Sequence, residues 1–491
     1  MSTDRRDLVV VFLLALTSVL AFQGSRGLHE TTEGRYAEVA REMLETGNFV
    51  EPTLDYEPHW SKPPLTYWAI AAGVRAFGRN AWGARFYNII AFVVTVLAVA
   101  ACGSALWDRR TGAAAGLVYL SSFLPAVGAS VVSADGLLVM WETLAVLFYI
   151  EAYRCGEDAR SRWWIRAMWF AFGLAFFTKG PPALLPLLAL GVFHIHARRS
   201  RVLADPTGIF VFLVTAFWWF AIVLARHPEL LGYFIGKEVV ARNVSTEFSR
   251  NAQWYGPLTI YAPVLLVGQG AWLYYGFGMF KQRELYKPVR ILELFGARGS
   301  PRLLLFLWVF VPLAIFCLSR SRLQLYILPL FAPIALATGR FILRTHGEAA
   351  GFRRTLRVAL ISVLVIVLVK ALGPHVSVRR DMARLYDRAA AAAGGEAAYV
   401  LFRERELYGF QFYAGGNVQR VSVSGREPWA DKTLGATVDE IVNKPLSQAY
   451  VIISGQQSAV VVRRELYEAH VTWTETEESR WKLFVIGACR D

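Results

Sequence analysis

Cysteine is scarce. The 491 residues hold four, at Cys102, Cys155, Cys317 and Cys489, and no two of them form a CxxC pair. A disulfide framework is therefore excluded. Three of the four fall in or beside apolar runs, where a thiol behaves as a small buried apolar group. Charge is scarce as well. Only 18% of residues are charged and 55% are hydrophobic, whereas a soluble domain is about a quarter charged. A compact fold of this length needs polar residues to cover its surface, so an ordinary soluble enzyme is excluded, as is a disordered chain. There is no P-loop, no GxGxxG after a strand and no HExxH. No internal repeat appears, and the only low-complexity tract is the short run Ala389–Ala393.

What remains is a multi-pass membrane protein. A spanning helix takes about 20 mostly apolar residues. Candidate runs lie at 8–23, 86–106, 112–132, 136–153, 163–178, 181–197, 207–225, 257–279, 302–318, 323–343 and 355–372. This predicts an all-α polytopic fold of about 11 to 13 transmembrane helices. The stretch Leu65 to Gly78 is too short to span and suits an interfacial helix. The first run could be a cleaved signal peptide, but no convincing cleavage site follows it, so an uncleaved span is expected.

The net charge is +14, an excess that the topology partly explains. With the N-terminus in the cytoplasm, every even gap between spans is basic: Arg109/Arg110, then Arg154 to Arg166, Arg198/Arg199/Arg201, Lys281 to Arg298, and Arg340 to Arg357. That is the positive-inside pattern. The odd gaps then face outward. They include a long first loop (24–85) and the region beyond Gly373. Residues 374–491 are of mixed composition with runs such as Ala449–Ile453 and Ser458–Val462, which read as strands of a small α/β domain on the outer side. The predicted division is a transmembrane domain over 1–373 and a C-terminal periplasmic domain over 374–491.

A second set of cations sits outside, against the rule: Lys179, Arg226, Lys237, Arg242, Arg250, Arg320 and Arg322. Such cations suggest an anionic ligand, and phosphate suits the arginine fork; attraction to anionic lipid is the other explanation. Tyr326, one helical turn from Arg322, could join them. In the first loop, Thr32 is placed to cap a helix on which Arg35, Glu38, Arg41, Glu42 and Glu45 pair along one face; it reads as a helix lying on the membrane surface, with a plain solvated amphipathic helix as the alternative. Lys62 precedes Pro63 and Pro64, which hold it in an extended segment between aromatics at headgroup level; a snorkelling lysine is the plain alternative. Asp135 opens an apolar run, either as a helix cap or as a functional acid at the membrane boundary. Asn243-Val244-Ser245 fits the glycosylation pattern, a weak signal.

Several of these segments stand together in one known pattern: Glu33-Gly34-Arg35-Tyr36-Ala37-Glu38-Val39-Ala40-Arg41-Glu42-Met43 with Thr46-Gly47-Asn48-Phe49, then Lys62-Pro63-Pro64-Leu65 with Tyr67-Trp68, Asp135, Thr178-Lys179-Gly180-Pro181, His227-Pro228-Glu229, and Leu318 to Leu323 with Tyr326-Ile327-Leu328-Pro329. Over roughly residues 8–345 the chain resembles the superfamily C membrane glycosyltransferases of the dolichyl-phosphate-mannose protein mannosyltransferase and aminoarabinose (lipid A) transferase type. The resemblance implies an outer active site and a polyprenyl-phosphate-linked sugar as donor. It implies a lipid A, glycan or protein acceptor, the inner membrane as location, and no nucleic-acid partner. It carries phosphate binding to Lys62, Arg35, Tyr326 and Arg242, and Arg322 and Lys179 join that set. The chain departs from the pattern at three places. Thr32 stands where the family has its catalytic Asp, Ser61 where it often has Glu before the Lys-Pro, and Val239 where a His is expected. The Glu and His resemble metal ligands in aminoarabinose transferases, so no metal or other cofactor is expected here. With Thr32 in place, Glu33 or Glu30 is the expected base, supported by Asp135. The expected reaction is an inverting glycosyl transfer, in which a carboxylate deprotonates the acceptor and cations stabilise the leaving phosphate. The alternatives are a transporter or flippase for a polyprenyl-linked glycan, and a catalytically impaired homologue that only binds polyprenyl phosphate.

Overall fold

A computed structural model describes residues 3–156, 158–197, 201–234, 236, 250–281, 299–376, 381–394, 397–403, 407–423, 430–443 and 449–487. In hydrocarbon each backbone polar group must be paired within its own segment, so apolar runs become helices. The chain is a multi-pass membrane protein of this kind. Helix α1 (Thr3–Leu20) is followed by the first loop, which contains α2 (Thr32–Thr46), a short hairpin of β1 (Thr53–Leu54) and β2 (Glu57–Pro58), and α3 (Leu65–Phe77). The bundle continues through α4 (Ala81–Leu106), α5 (Arg109–Leu120), α6 (Phe123–Gly128), α7 (Asp135–Cys155), α8 (Ala159–Lys179), α9 (Leu185–His196) and α10 (Pro206–Arg226). Among the described residues six helices are long and apolar enough to cross a membrane: Ala81–Leu106, Asp135–Cys155, Pro206–Arg226, Pro301–Leu318, Gln324–His346 and Glu348–Val376.

The other expected spans are present in altered form, each for a local reason. Helix α1 carries Asp4, Arg5, Arg6 and Asp7 in its first turns, yet Val11, Ala15 and Val19 are buried in the bundle core. The run at 112–132 breaks at Ser121 and Ser122, whose hydroxyls bond the carbonyls of Leu117 and Val118, a local bonding that favours helix ends and bends. Arg160, Arg162 and Arg166 interrupt the apolar character of α8. The run at 257–279 is cut into pieces, Pro257–Tyr261, Ala262–Val267 and Gly270–Trp272, before the helix Leu273–Lys281; Pro257, Pro263, Gly268 and Gly270 are the breakers.

The first loop corrects one expectation outright. Helix α2 is not a solvated surface helix. Glu33, Tyr36, Glu38, Arg41 and Glu42 on it are buried, because α3 packs on one side and a helix of the C-terminal domain, Tyr408–Ala414, on the other. Nor does Thr32 cap it: Thr31 holds the cap position and makes no side-chain bond there. The charges are paired internally instead. Arg41 grips Glu38 at 2.8 and 2.9 Å and also meets Glu45, while Glu42 accepts from Thr53 Oγ1 and the backbone of Asp55 and Tyr56, binding the hairpin. Helix α3 is the short helix expected, and it lies tight against α4.

The C-terminal domain is the small α/β unit the sequence suggests. Its sheet has the order β5-β4-β3-β6-β8-β7, with β3 (Ala397–Phe402), β4 (Val418–Ser422), β5 (Lys432–Thr433) and β6 (Ala449–Gly455) parallel, and β7 (Thr474–Glu478) and β8 (Trp481–Ile486) antiparallel. The run Ser458–Val462, expected as a strand, is the start of a helix, Ala459–Glu468. Ala459, Val462 and Leu466 are buried while Val460 is exposed; that three-to-four spacing is helical and overrides the β-branched composition. One face of the sheet is sealed by Leu434, Val438, Ile441, Val462 and Leu466. The other, through Met382, Leu385, Phe410 and Phe412, shares a core with Ala37, Ala40 and Met43 of α2. The domain is thus docked on the first loop.

A Cβ at Gly73 of α3 would stand 2.3 Å from the Gly83 carbonyl oxygen of α4. Gly73→Ala is therefore expected to separate these helices and cost about 1–3 kcal/mol, read as a lowered midpoint of thermal unfolding in detergent; an unchanged midpoint would contradict the close packing.

Candidate active site

The side chain that organises this end of the bundle is Glu33, which is 3% exposed. Arg26 Nη1 donates to Oε2 at 2.6 Å and Nη2 to Oε1 at 3.1 Å. Arg85 of α4 donates to both oxygens at 3.1 and 3.2 Å. The backbone N–H groups of His29 and Val132 add bonds of 3.0 and 2.9 Å. Arg85 spends its remaining donors on the carbonyls of Gln23, Arg26 and Gly27. Burial by itself would raise the Glu33 pKa, but the two guanidiniums overcome it and hold the carboxyl down to about 2. Every lone pair is engaged and the group has almost no basicity at neutral pH. This corrects the expectation that Glu33 is a base; it is an anchor joining the first loop, α4 and the turn before α7.

That turn sets Asp135. Tyr87 Oη donates to Ser133 O at 2.7 Å and accepts from Ser133 N at 2.9 Å, and Asn88 Nδ2 donates to Val131 O at 2.8 Å. Asp135 is not a capping residue: Ala134 is at the cap position, and the carboxylate pairs with Lys179 Nζ at the end of α8. Lys179 Nζ lies 4.7 Å from the ring centroid of Tyr326, close enough for a cation–π contact. The structure therefore brings Asp135, Lys179 and Tyr326 into one cluster. Tyr36, buried on α2 and 5.3 Å from Tyr67 between ring centroids, feels both Arg35 and Asp135, and burial raises its hydroxyl pKa.

Arg35 and Lys62, two more of the expected phosphate ligands, both act electrostatically on His59. The segment between the hairpin and α3 is pinned at both ends. His59 N donates to Pro52 O at 2.7 Å, and Trp60 packs on Trp219 and His227 with ring centroids 6.3 and 5.6 Å away. Ser61 Oγ and His59 Nε2 are 2.7 Å apart. Burial first, then the positive charges of Arg35 and Lys62, push the His59 pKa down to about 4. The imidazole is neutral at physiological pH and feels both cations. A hydroxyl beside an imidazole under positive charge does not fit a dication, so Ser61 is not read as a metal ligand.

The remaining expected residues are placed elsewhere. Glu30 turns to the C-terminal domain, where it accepts from Gly409 N. Arg322 is buried and ties loops together: its guanidinium donates to the carbonyls of Asn251 at 2.7 Å, Gln253 at 2.9 Å and Cys317 at 2.9 Å. This removes it from the phosphate set. Arg242, with Lys237, Val239 and Asn243, lies outside the described residues. The sequence reading missed Arg26, Arg85 and His59. Arg85 alone carried a signal, being a charge at the very edge of the apolar run 86–106, where an ionisable residue needs a partner. His59 had no motif of its own.

Residues 61–225 match the family model described as dolichyl-phosphate-mannose-protein mannosyltransferase. The chain is 30% identical, over 373 residues, to an undecaprenyl phosphate-alpha-4-amino-4-deoxy-L-arabinose arabinosyl transferase 2 of Pseudomonas fluorescens, a match covering 74% of this chain and 64% of that one. It is also 30% identical to an undecaprenyl phosphate-alpha-4-amino-4-deoxy-L-arabinose arabinosyl transferase of Pectobacterium carotovorum, over 69% of this chain and 59% of the other. The matched region thus spans less than two thirds of either relative's length. Among solved structures it is similar to ArnT from Cupriavidus metallidurans bound to undecaprenyl phosphate, with a TM-score of 0.78, 18% identity and 97% of both chains covered. It is also similar to the archaeal oligosaccharyltransferase AglB from Archaeoglobus fulgidus, with a TM-score of 0.53, 12% identity, and 97% of this chain and 74% of that one covered.

Removing the Glu33 charge leaves two guanidiniums without their partner. Glu33→Gln is expected to lower stability by about 3–5 kcal/mol, measured by thermal unfolding in detergent. In the native protein the Glu33 pKa lies below its unfolded value, so its contribution, roughly 3 kcal/mol at most, is present above about pH 4.5 and lost as pH falls toward 2. Glu33→Gln should flatten this acid limb of the stability curve; an identical limb in both proteins would refute the clamp.

Proposed function

We infer the function from one premise: the chain belongs to the superfamily of dolichyl-phosphate-mannose-protein mannosyltransferases and aminoarabinose transferases. Within it we propose a glycosyltransferase that moves a sugar from a polyprenyl-phosphate donor to a lipid A, glycan or protein acceptor. The observation that carries this reading is the Asp135–Lys179–Tyr326 cluster; the charges of Arg35 and Lys62 acting on His59, and of Arg35 and Asp135 acting on Tyr36, support it. Cations of that kind suit a phosphate that gains charge as the sugar leaves. The basic gaps of the sequence support a periplasmic face of a bacterial inner membrane for this end. The division into a transmembrane domain over 1–373 and a periplasmic domain over 374–491 belongs to the same reading. The names of the relatives point to undecaprenyl phosphate as the lipid carrier and to aminoarabinose as a sugar worth testing.

In this mechanism Lys62 and Arg35 hold the donor phosphate while the C–O bond to the anomeric carbon breaks. Asp135 keeps Lys179 oriented, and the Tyr326 ring holds the ammonium from the other side. With Glu33 locked in its clamp and Glu30 turned away, Asp135 is the one of the three expected carboxylates that faces the lysine of the site. The acceptor attacks from the face opposite the phosphate, which inverts the configuration.

Lys62→Ala should reduce sugar transfer from polyprenyl phosphate by about 100-fold or more, as loss of one oriented donor does, with the unfolding midpoint unchanged. Asp135→Asn should weaken transfer as well, by freeing Lys179. Both are measured with purified protein and a labelled undecaprenyl-phosphate sugar. Full activity in Lys62→Ala would remove it from the phosphate site.

A further inference from the structure

Among the described residues, each carboxylate named for the base from the sequence is engaged: Glu33, Glu30 and Asp135 all have partners. Glu142, which feels Lys179 and Asp135, is buried in the bundle on α7, and burial disfavours the charged form of a carboxyl. Glu33 is saturated by two arginines and two backbone N–H groups. Asp135 is bound to Lys179. The position before Glu33 is an exposed threonine, and a hydroxyl alone is a poor base. A phosphate acceptor oxygen is already anionic and needs no base; a hydroxyl acceptor does.

The pair Ser61–His59 supplies what is missing. Ser61 directly precedes Lys62 in the chain, and Lys62 and Arg35 of α2 are the two residues assigned to the donor phosphate. Both act on the His59 ring, and among the described residues they are the charged groups that do so. The 2.7 Å contact between Ser61 Oγ and His59 Nε2 is a hydrogen bond. The ring position is set by the backbone bond to Pro52 and by the packing of the adjacent Trp60.

We propose that Ser61 and His59 relay the acceptor's proton: Ser61 Oγ takes it from the attacking hydroxyl while passing its own to His59 Nε2, so that this chain serves a hydroxyl rather than a phosphate acceptor. The acceptor oxygen forms the bond to the anomeric carbon. The C–O bond to phosphate breaks, and the leaving polyprenyl phosphate keeps the electron pair. Ser61 touches the acceptor and is the catalytic residue; His59 acts through it.

The ligand-free pKa of about 4 would make His59 a weak base, and its causes say when that changes. Two of them are the positive charges of Arg35 and Lys62. A donor phosphate bound to those cations sets negative charge beside the ring, which raises the pKa again. The base is thereby strengthened by the substrate whose departure it assists.

This inference rests on the donor reading above, and one experiment separates the two. Full-length protein labelled with 15N-histidine in detergent micelles is titrated over pH with and without undecaprenyl phosphate, and the His59 signal is assigned by its loss in His59→Gln. The expected result is a His59 pKa near 4 alone that rises by about one unit or more on binding. His59→Gln and Ser61→Ala should each lower kcat for transfer to the hydroxyl groups of a glycan extract by about 100-fold, with the KM for donor unchanged. The acid limb of the pH–rate profile should disappear in His59→Gln. Failure of undecaprenyl phosphate to bind overturns the donor reading and this one with it. Binding without a pKa rise, or full kcat in both variants, overturns the relay alone.

Discussion

One buried carboxylate holds this end of the molecule together. Glu33 meets Arg26 on the approach to α2, Arg85 in a membrane helix and the backbone at Val132. Two guanidiniums taken from water are costly unless a matched anion and further acceptors are present. Here the anion is Glu33, and the carbonyls of Gln23, Arg26 and Gly27 complete the set for Arg85. The consequence is geometric. The segment from Gln23 to Glu33 and the turn before Asp135 are fastened to the same arginine, so α2 and α7 cannot shift independently. The distance between Arg35 and Asp135 follows from that fastening.

The C-terminal domain completes the restraint from the other side. Gly27 N donates to Asp381 and Leu28 N to Tyr413 Oη, at 3.1 and 3.0 Å. Asp55 meets Arg420 and accepts from Gln411. These contacts fall on the backbone and hairpin of the first loop, beside the residues of the site rather than on them. The domain therefore acts as a splint for a loop that is too polar to fold by hydrophobic burial alone.

Much of this was legible in the sequence, in proportion to how local its cause is. The short helix over Leu65–Phe77, the sheet domain and the basic gaps follow from composition and spacing. The outer cations were visible as a set, but not which of them are spent on structure. Arg322 and Lys179 look alike in sequence; one is consumed by three carbonyls and the other is aimed at Asp135 and Tyr326. Glu33 lay inside the most specific motif and was misread because a motif records that a residue matters, not whether it matters to folding or to chemistry. Its partner Arg85 is 52 residues away, and no periodicity connects them. The helix at Ala459–Glu468 was misread for a related reason: three consecutive valines signal a strand locally, while the burial that decides the matter comes from the sheet behind them.

Thr32 and Glu33 are neighbours in one helical turn, yet one is exposed and the other fully enclosed. Exchanging the residue at 32 disturbs no packing and breaks no ion pair, whereas exchanging its neighbour dismantles the clamp. The two positions can therefore evolve at different speeds. Position 32 is thus free to change the chemistry it presents without the scaffold ever passing through an unstable intermediate.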